Sequence, residues 1–243
     1  MTHSAQLYLI SPPTVGISAF KESLAAALSA GNVGAFQLRL KQADDDSIKH
    51  AIRELMPVCR DAGVAFIIND RPDLCAEFSC DGVHIGQEDL INTSAIASWR
   101  AHEAPLEADS RATMAAIRDM VGDDAVIGVT CHASKHLAME AGEAGADYVA
   151  FGAFYPTTSK PAEKLAKWGT PTTDILEWWH AYMTLPCVAI GGINPNNCSQ
   201  LIQAGADFIA VINAVWNHPQ GPAAAVKAFE VSLCQSSKMI STH

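Results

Sequence analysis

The stretch "AGADYVAFG" (144–152) has a close copy in "AGADFIAVI" (204–212). Looser copies are "GNVGAFQLRL" (31–40), "DAGVAFIIND" (61–70) and "SCDGVHIG" (79–86). In each copy a helix-like stretch ends near a glycine, and the chain then enters a short apolar run. Such a junction is typical of a helix followed by a buried strand. The repeat therefore predicts alternating helices and strands.

Eight runs of this kind are strand candidates, and helical patterns lie between them. They are nearly continuous in apolar character, which indicates strands buried on both faces of a parallel sheet. Eight βα units in 243 residues fit a single (β/α)8 TIM barrel over residues 1–243, with a doubly wound open sheet as the alternative. The candidates are "LYLIS" (7–11), "AFQLRL" (35–40), "AFIIND" (65–70), "GVHIG" (82–86), "VIGVT" (126–130), "YVAFG" (148–152), "CVAIGG" (187–192) and "FIAVIN" (208–213).

The composition excludes several classes of partner. The chain is 49% hydrophobic and 17% charged, with a formal charge of −10 and no long basic run, which argues against nucleic acid and anionic membrane surfaces. Seven cysteines, an odd number placed mostly in apolar stretches, indicate reduced thiols. With no signal-peptide pattern or membrane-span-length apolar run, we expect a soluble, cytoplasmic protein. The sequence leaves open whether it is a monomer or a homo-oligomer.

In a barrel, function is expected at the carboxyl ends of the strands. Along the second strand, side-chain alternation places Gln37, Arg39 and Lys41 on one face, which we expect to point into the barrel mouth. The alternative is that the two cations only pair with core carboxylates. The polar and cationic character of this face favours an anionic ligand.

Two carboxylates follow neighbouring strands. Asn69 and Asp70 end the third strand, and Asp89 follows the fourth. Together the carboxylates could hold a Mg²⁺ ion that takes its other ligands from water and phosphates. Capping of a strand or a helix is an equally good explanation for both.

Further candidates follow the later strands. Thr130 ends the fifth strand, and "GAFYPTTSK" (152–160) brings three hydroxyls and Lys160 together after the sixth. Gly191-Gly192 after the seventh strand could expose backbone N–H groups to a phosphate, with a helix starting around Pro195. His84 lies within the fourth strand and fits either a core or a catalytic histidine.

The chain resembles the thiamine phosphate synthase family over residues 7 to about 218. The resemblance rests on the order and spacing of seven motifs. They are "QLRLK" (37–41), "IINDRPDL" (67–74), "DGVHIGQEDL" (81–90), "IGVTCH" (127–132), "GADYVAFGAFYPTTSK" (145–160), "VAIGGI" (188–193) and "GADFIAVINAV" (205–215).

The resemblance implies a (β/α)8 barrel that joins hydroxymethylpyrimidine diphosphate to a thiazole phosphate and releases pyrophosphate. It assigns Mg²⁺ to Asp70 and Asp89, and catalysis to Arg39, Lys41 and Lys160, with Lys160 neutralising the departing pyrophosphate. The residues that it assigns to the pyrimidine diphosphate are Gln37, Arg39, Lys41, Asn69, Thr130 and Lys160. Those that it assigns to the thiazole phosphate are Thr157, Thr158, Ser159, Gly192, Ile212 and Asn213.

Three departures from the family pattern stand out. Leu40 replaces a frequent glutamate, and Asn213 replaces the usual serine near the end of the eighth strand. The stretch between the fourth and fifth strands is longer by about one helix, which we place at about 91–110. Three rival functions remain: a thiazole tautomerase, a non-catalytic sensor of phosphorylated ligands, and a phosphosugar isomerase or epimerase.

Overall fold

Eight parallel strands form a closed barrel in the computed structural model, which describes residues 5–90, 109–157 and 166–240 without the side chains of Asp89 and 235–240. The strands pair in chain order, and the eighth pairs with the first. Each predicted run overlaps one strand, so the barrel is confirmed and the open sheet is excluded. The strands are β1 (Gln6–Ile10), β2 (Val33–Leu38), β3 (Ala65–Asn69), β4 (Gly82–Gly86), β5 (Val126–His132), β6 (Tyr148–Gly152), β7 (Cys187–Ile190) and β8 (Phe208–Val211).

Helices alternate with these strands along the chain. The helix α5 begins after Asp109, whose carboxylate accepts from the Arg111 N–H at 3.2 Å. Nearly all of the segment 91–110, where we expected an additional helix, lies outside the described residues. The helices are α1 (Ile17–Leu28), α2 (Asp45–Asp61), α3 (Pro72–Phe78), α4 (Gln87–Leu90), α5 (Ser110–Val121), α6 (Lys135–Glu143), α7 (Asp174–Tyr182), α8 (Cys198–Gln203), α9 (Asn213–Trp216) and α10 (Pro222–Ile240).

The aspartate of the sequence repeat has a structural role. The carboxylates of Asp81, Asp147 and Asp207, which precede β4, β6 and β8, accept hydrogen bonds from backbone N–H groups at 2.7, 2.7 and 2.8 Å. Each of these N–H groups belongs to the preceding strand, at its first or second residue. Charged acceptors make stronger hydrogen bonds than neutral ones. The repeat therefore joins three pairs of strands, β3 to β4, β5 to β6 and β7 to β8, at the amino-terminal end of the barrel.

Side chains alternate between two apolar cores. Outward-facing residues such as Leu9, Phe36 and Val149 pack in the large core under the helices. Inward-facing residues such as Ile67 and Val188 fill the barrel together with two tyrosines. The barrel interior is thus filled by packed side chains.

The cysteines are free thiols, and all but Cys234 are buried. Burial raises the pKa of Cys59 and of Cys187 to about 12, so both remain protonated at neutral pH. Within the described ranges, no helix is both long and apolar enough to cross a bilayer.

Candidate active site

A cavity of about 920 Å³ opens at the carboxyl ends of the strands. This volume lies near the upper end of the range for small-molecule sites, about 300–1,000 Å³. The lining combines apolar and polar side chains on the floor with polar and charged groups at the rim, and it draws on all eight strands or the loops that follow them.

One side of the mouth is cationic. Arg39 and Lys41 lie just beyond β2, which ends two residues earlier than predicted, and both line the cavity. The backbone N–H of Arg39 donates to Ser11 Oγ at 2.8 Å, which holds this segment beside β1. Burial lowers the pKa of Arg39, partly opposed by the nearby carboxylate of Asp70. Lys41 Nζ lies 3.1 Å from Asp70 Oδ2.

The backbone at Asp70 adopts a left-handed conformation, with φ of 60°. Its N–H donates to the His84 carbonyl at 2.9 Å, so the turn is anchored to β4. Non-glycine residues with positive φ are uncommon and concentrate at functional sites. His132 at the end of β5 has φ of 56° and also lines the cavity. β5 extends two residues beyond its predicted end, and its register with β6 shifts between Thr130 and His132.

Another side of the mouth, after β7, is built from glycine backbone. Gly191 and Gly192 have φ of 103° and 65°, and a Cβ on Gly192 would collide with the Pro156 carbonyl oxygen. Successive glycines of this kind can turn their N–H groups toward an anion. The next helix, α8, begins at Cys198 rather than near Pro195, because a turn closed by Asn197 intervenes. Asn197 Nδ2 donates to the Gly192 carbonyl at 3.1 Å.

The floor between the two sides carries a continuous set of buried polar groups. Gln37 Nε2 donates to Tyr8 Oη at 3.2 Å, and Tyr8 Oη lies 2.8 Å from Tyr148 Oη. Tyr148 Oη lies 2.9 Å from His84 Nδ1, and His84 Nε2 lies 2.8 Å from Thr130 Oγ1. We call these five residues the interior chain. Burial raises the pKa of both tyrosines, so both phenols keep their protons at neutral pH.

An aromatic pair stands at the rim near β4 and β5. The rings of His132 and Trp168 are parallel, with centroids 4.6 Å apart. Trp168 Nε1 donates to Glu88 Oε1 at 3.3 Å, and Lys167 Nζ lies over the Trp168 ring. Trp168, which follows residues 158–165 in the chain, is therefore attached to the rim of the mouth near β4 and β5.

The structure brings most of the predicted site residues to one cavity. Thr158, Ser159 and Lys160 lie outside the described residues, as does the side chain of Asp89, which belongs to the short helix α4. The predicted residues that line the cavity are Gln37, Arg39, Lys41, Asn69, Asp70, Thr130, Thr157, Gly192, Ile212 and Asn213.

Sequence reasoning missed four contributors to the cavity or its rim. Tyr8 and Tyr148 were treated only as strand residues, and the signal for them was a tyrosine at an inward-facing position of a buried strand. His132, which the sequence analysis did not single out, also lines the cavity. Trp168 lies in a stretch without a recognisable sequence signal.

The fold and the site define a class: a (β/α)8-barrel enzyme whose mouth is suited to phosphorylated small molecules. Residues 7–104 and 106–215 match the profile of the family described as thiamine monophosphate synthase. The chain belongs to this family, whose activity is that of a transferase.

Relatives and solved structures agree with this assignment. A thiamine-phosphate synthase of Rhodospirillum centenum is 51% identical over 224 residues, which cover 92% of this chain and 95% of the relative. One from Hyphomonas neptunium is 45% identical over 240 residues, covering 94% and 96%. A thiamine phosphate pyrophosphorylase structure from Pyrococcus furiosus superposes with a TM-score of 0.73 at 24% identity, covering 97% and 98% of the two chains. That likeness concerns the fold alone.

Proposed function

We propose that this chain synthesises thiamine phosphate. It would join 4-amino-2-methyl-5-(diphosphooxymethyl)pyrimidine to a thiazole phosphate and release pyrophosphate. The observation that carries the proposal is a single cavity with two sides suited to anions. Arg39 and Lys41 stand on one side, and Gly191 and Gly192 form the other. Two phosphorylated substrates that react with each other need two anion-binding surfaces within one cavity.

The reaction is a substitution at the methylene carbon of the pyrimidine. The C–O bond breaks first, and its electron pair leaves on the diphosphate oxygen. Electron donation from the ring amino group stabilises the resulting cation. The lone pair of the thiazole nitrogen then forms the new C–N bond. The protein's task is to stabilise the leaving group and to keep water from the cation.

The charges at the cationic side fit the leaving group. Arg39 is held partly buried against β1, and a guanidinium there can donate two parallel hydrogen bonds to phosphate oxygens. Lys41 is half-exposed and pairs with Asp70, so its ammonium can approach a ligand in the mouth. The family resemblance adds Lys160 to this set.

The residues present fit a Mg²⁺ ion. Asp70 offers a partly exposed carboxylate at the mouth, where it forms an ion pair with Lys41. Among the described residues, no group of three or more His, Cys, Asp and Glu side chains could hold a metal. Mg²⁺ often uses only one or two carboxylates beside substrate phosphates. Asp70 and Asp89 would hold the ion, which would supply positive charge at the phosphate oxygens.

The acceptor side is assigned to the loops after β6, β7 and β8. Thr157 and the backbone of Gly192 line the cavity there, and so do Ile212 and Asn213 at the start of α9. Asn213 brings an amide where the family usually has a hydroxyl, and an amide can donate to a phosphate as well. We therefore assign the thiazole phosphate to this side.

The interior chain argues against an isomerase. A phosphosugar isomerase or epimerase would need an acid/base pair at the barrel centre. His84 is the residue that the sequence suggests as a catalytic acid or base. Both ring nitrogens of His84 are engaged, one with Tyr148 and one with Thr130. This arrangement favours a role for His84 in the orientation of a ligand over a role in proton transfer to that ligand.

We also infer that the protein works in the cytoplasm on small molecules alone. The free thiols of the chain fit a reducing compartment. A net charge of −10 opposes binding to nucleic acid.

The experiment that tests the function uses the purified chain with both substrates and Mg²⁺. Thiamine phosphate and pyrophosphate should appear in equal amounts, and each single-substrate control should give neither. Addition of EDTA should stop the reaction, and excess Mg²⁺ should restore it. A folded protein that forms no thiamine phosphate would refute the proposal. Isomerisation of the thiazole phosphate without pyrophosphate release would point to a tautomerase.

A further inference from the structure

The mechanism above leaves most of the interior chain without a role. Gln37, Tyr8, Tyr148 and His84 are buried, at 2%, 4%, 7% and 9% exposure, inside a barrel that is normally filled by branched apolar side chains. Buried polar groups cost free energy unless they are hydrogen-bonded. Here the costs are offset by four successive hydrogen bonds that cross the barrel from β2 to β5.

Neighbouring groups fix the positions of the side chains in the interior chain. Gly128 stands where a Cβ would collide with the Tyr148 ring, so the ring can lie across β5. The rings of His84 and Tyr148 stack with centroids 5.6 Å apart. Rigid rings fix the positions of the hydroxyl and of the imidazole nitrogens more tightly than flexible side chains would.

One assignment of donors and acceptors satisfies every member of the interior chain. Gln37 Nε2 donates to Tyr8 Oη, and either phenol can donate in the Tyr8–Tyr148 hydrogen bond; in this assignment Tyr8, which accepts from Gln37, uses its own proton to donate to Tyr148. Tyr148, which accepts from Tyr8, directs its proton to His84 Nδ1. An imidazole that accepts at Nδ1 carries its proton on Nε2 when neutral, and it therefore donates to Thr130 Oγ1. The Thr130 hydroxyl, which lines the cavity, then has its own proton left for a ligand.

We infer that the interior chain sets the Nε2–H tautomer of His84 and so makes Thr130 a hydrogen-bond donor to the leaving diphosphate. His84, Tyr148 and Tyr8 are positioning residues that act through Thr130. The inference rests on the proposed function. A donor aimed at an oxygen that gains charge as the C–O bond breaks stabilises the transition state more than bound substrate. Loss of its orientation should therefore lower kcat more than it raises KM.

The first test is the tautomer itself, measured in the unmutated protein by ¹⁵N–¹H correlation of the labelled histidine rings. The His84→Gln variant identifies the His84 signals by their loss. We expect a protonated Nε2 and an unprotonated Nδ1. A proton on Nδ1, or on both nitrogens, would overturn the inference whatever the activity.

The second test is the kinetics of Tyr148→Phe, which keeps the ring over Gly128 and removes the hydroxyl. We expect kcat to fall about tenfold, the factor that one hydrogen bond of this kind supports. KM for the pyrimidine diphosphate should change less than about threefold. Tyr8→Phe should have a smaller effect, because Tyr148 can still donate to His84. Tyr182→Phe, which alters a tyrosine that is 71% exposed on α7, is the matched control.

A third comparison separates orientation from packing. In His84→Gln, the amide nitrogen takes about the place of Nε2 and can donate to Thr130 without Tyr148, whereas His84→Leu cannot donate. We expect His84→Gln to be at least about threefold more active than His84→Leu. In the Gln background, Tyr148→Phe should have less than a twofold further effect, because the link it breaks is already absent. Independent, multiplying effects would indicate packing and overturn the inference.

The outcomes also separate this inference from the proposed function. If the unmutated protein forms no thiamine phosphate, the proposed function fails, and the tautomer measurement still decides the orientation of the interior chain. If the protein is active and Tyr148→Phe keeps kcat within twofold, the inference fails alone. If Tyr148→Phe does not fold, the comparison of His84→Gln with His84→Leu and the spectrum of the unmutated protein still test the inference.

Discussion

Asp70→Asn tests the metal assignment with little change in shape. The Lys41–Asp70 pair is 3.1 Å apart, but its side chains are 47% and 29% exposed. Exposed pairs of this kind contribute about 1 kcal/mol at most. Asparagine also tolerates the left-handed backbone at φ of 60°. We therefore expect a melting temperature within about 2–4 °C of the unmutated protein, the shift that 1 kcal/mol gives in a chain of this size.

The effect on Mg²⁺ dependence should be much larger. Removal of a group that only supports a metal ligand typically costs 10- to 100-fold in metal affinity. Loss of a ligand should cost at least as much. Steady-state rates of pyrophosphate release across a Mg²⁺ titration should show a half-saturating concentration raised at least about tenfold, with a lower maximal rate.

Asp73→Asn is the matched control for this measurement. Asp73 also pairs with a cation, Arg71 Nη2 at 2.6 Å, and its side chain is 27% exposed, but it does not line the cavity. It should cost similar stability and leave the Mg²⁺ titration unchanged. If Asp70→Asn is folded and its half-saturating Mg²⁺ concentration lies within twofold of the unmutated value, Asp70 is not a ligand of the metal.

Three further predictions concern the acceptor side and the loops. Lys160→Ala should lower kcat by a factor of about 10²–10³ with only modest weakening of pyrimidine diphosphate binding. Lys160→Arg should recover part of the loss. Pyrophosphate release by Lys160→Ala within about twofold of the unmutated rate would contradict the assignment. Gly192→Ala should raise KM for the thiazole phosphate, because the new Cβ meets the Pro156 carbonyl oxygen at a φ of 65°; an unchanged KM in parallel titrations of both substrates would exclude this backbone as the phosphate site. Replacement of 91–108 by a short linker, which keeps the cap of α5 at Asp109, should leave substantial turnover; a folded but inactive variant would show that the segment belongs to the site.

The sequence was sufficient for the fold because its signals are local. Copies such as "AGADYVAFG" indicate a helix end, a turn and a buried strand within ten residues. Eight such strands can form few kinds of parallel sheet, and here they form a closed barrel. The aspartate in the copies was visible as a repeat. Its bond to the preceding strand, about twenty residues away along the chain, became visible only in the structure.

Much of the cavity lining also followed from the sequence. The carboxyl ends of parallel strands meet at one edge of a barrel, so Arg39, Asp70 and Gly192 were predicted to lie together before any distance was known. Their local conformations were not predicted. The left-handed turn at Asp70 depends on a hydrogen bond to the carbonyl of His84 on the neighbouring strand, and no sequence pattern encodes that contact.

Only the tertiary structure decided the interior chain. Tyr8 and Tyr148 are 140 residues apart, and each by itself is an aromatic residue in a buried strand. Alternation fixes which face of a strand a side chain occupies, but the height of a side chain within the barrel depends on the register of all the strands together. That register places two phenols and an imidazole within hydrogen-bond distance of one another. The sequence placed His84 within a buried strand, and the closed barrel decided which groups its two nitrogens meet.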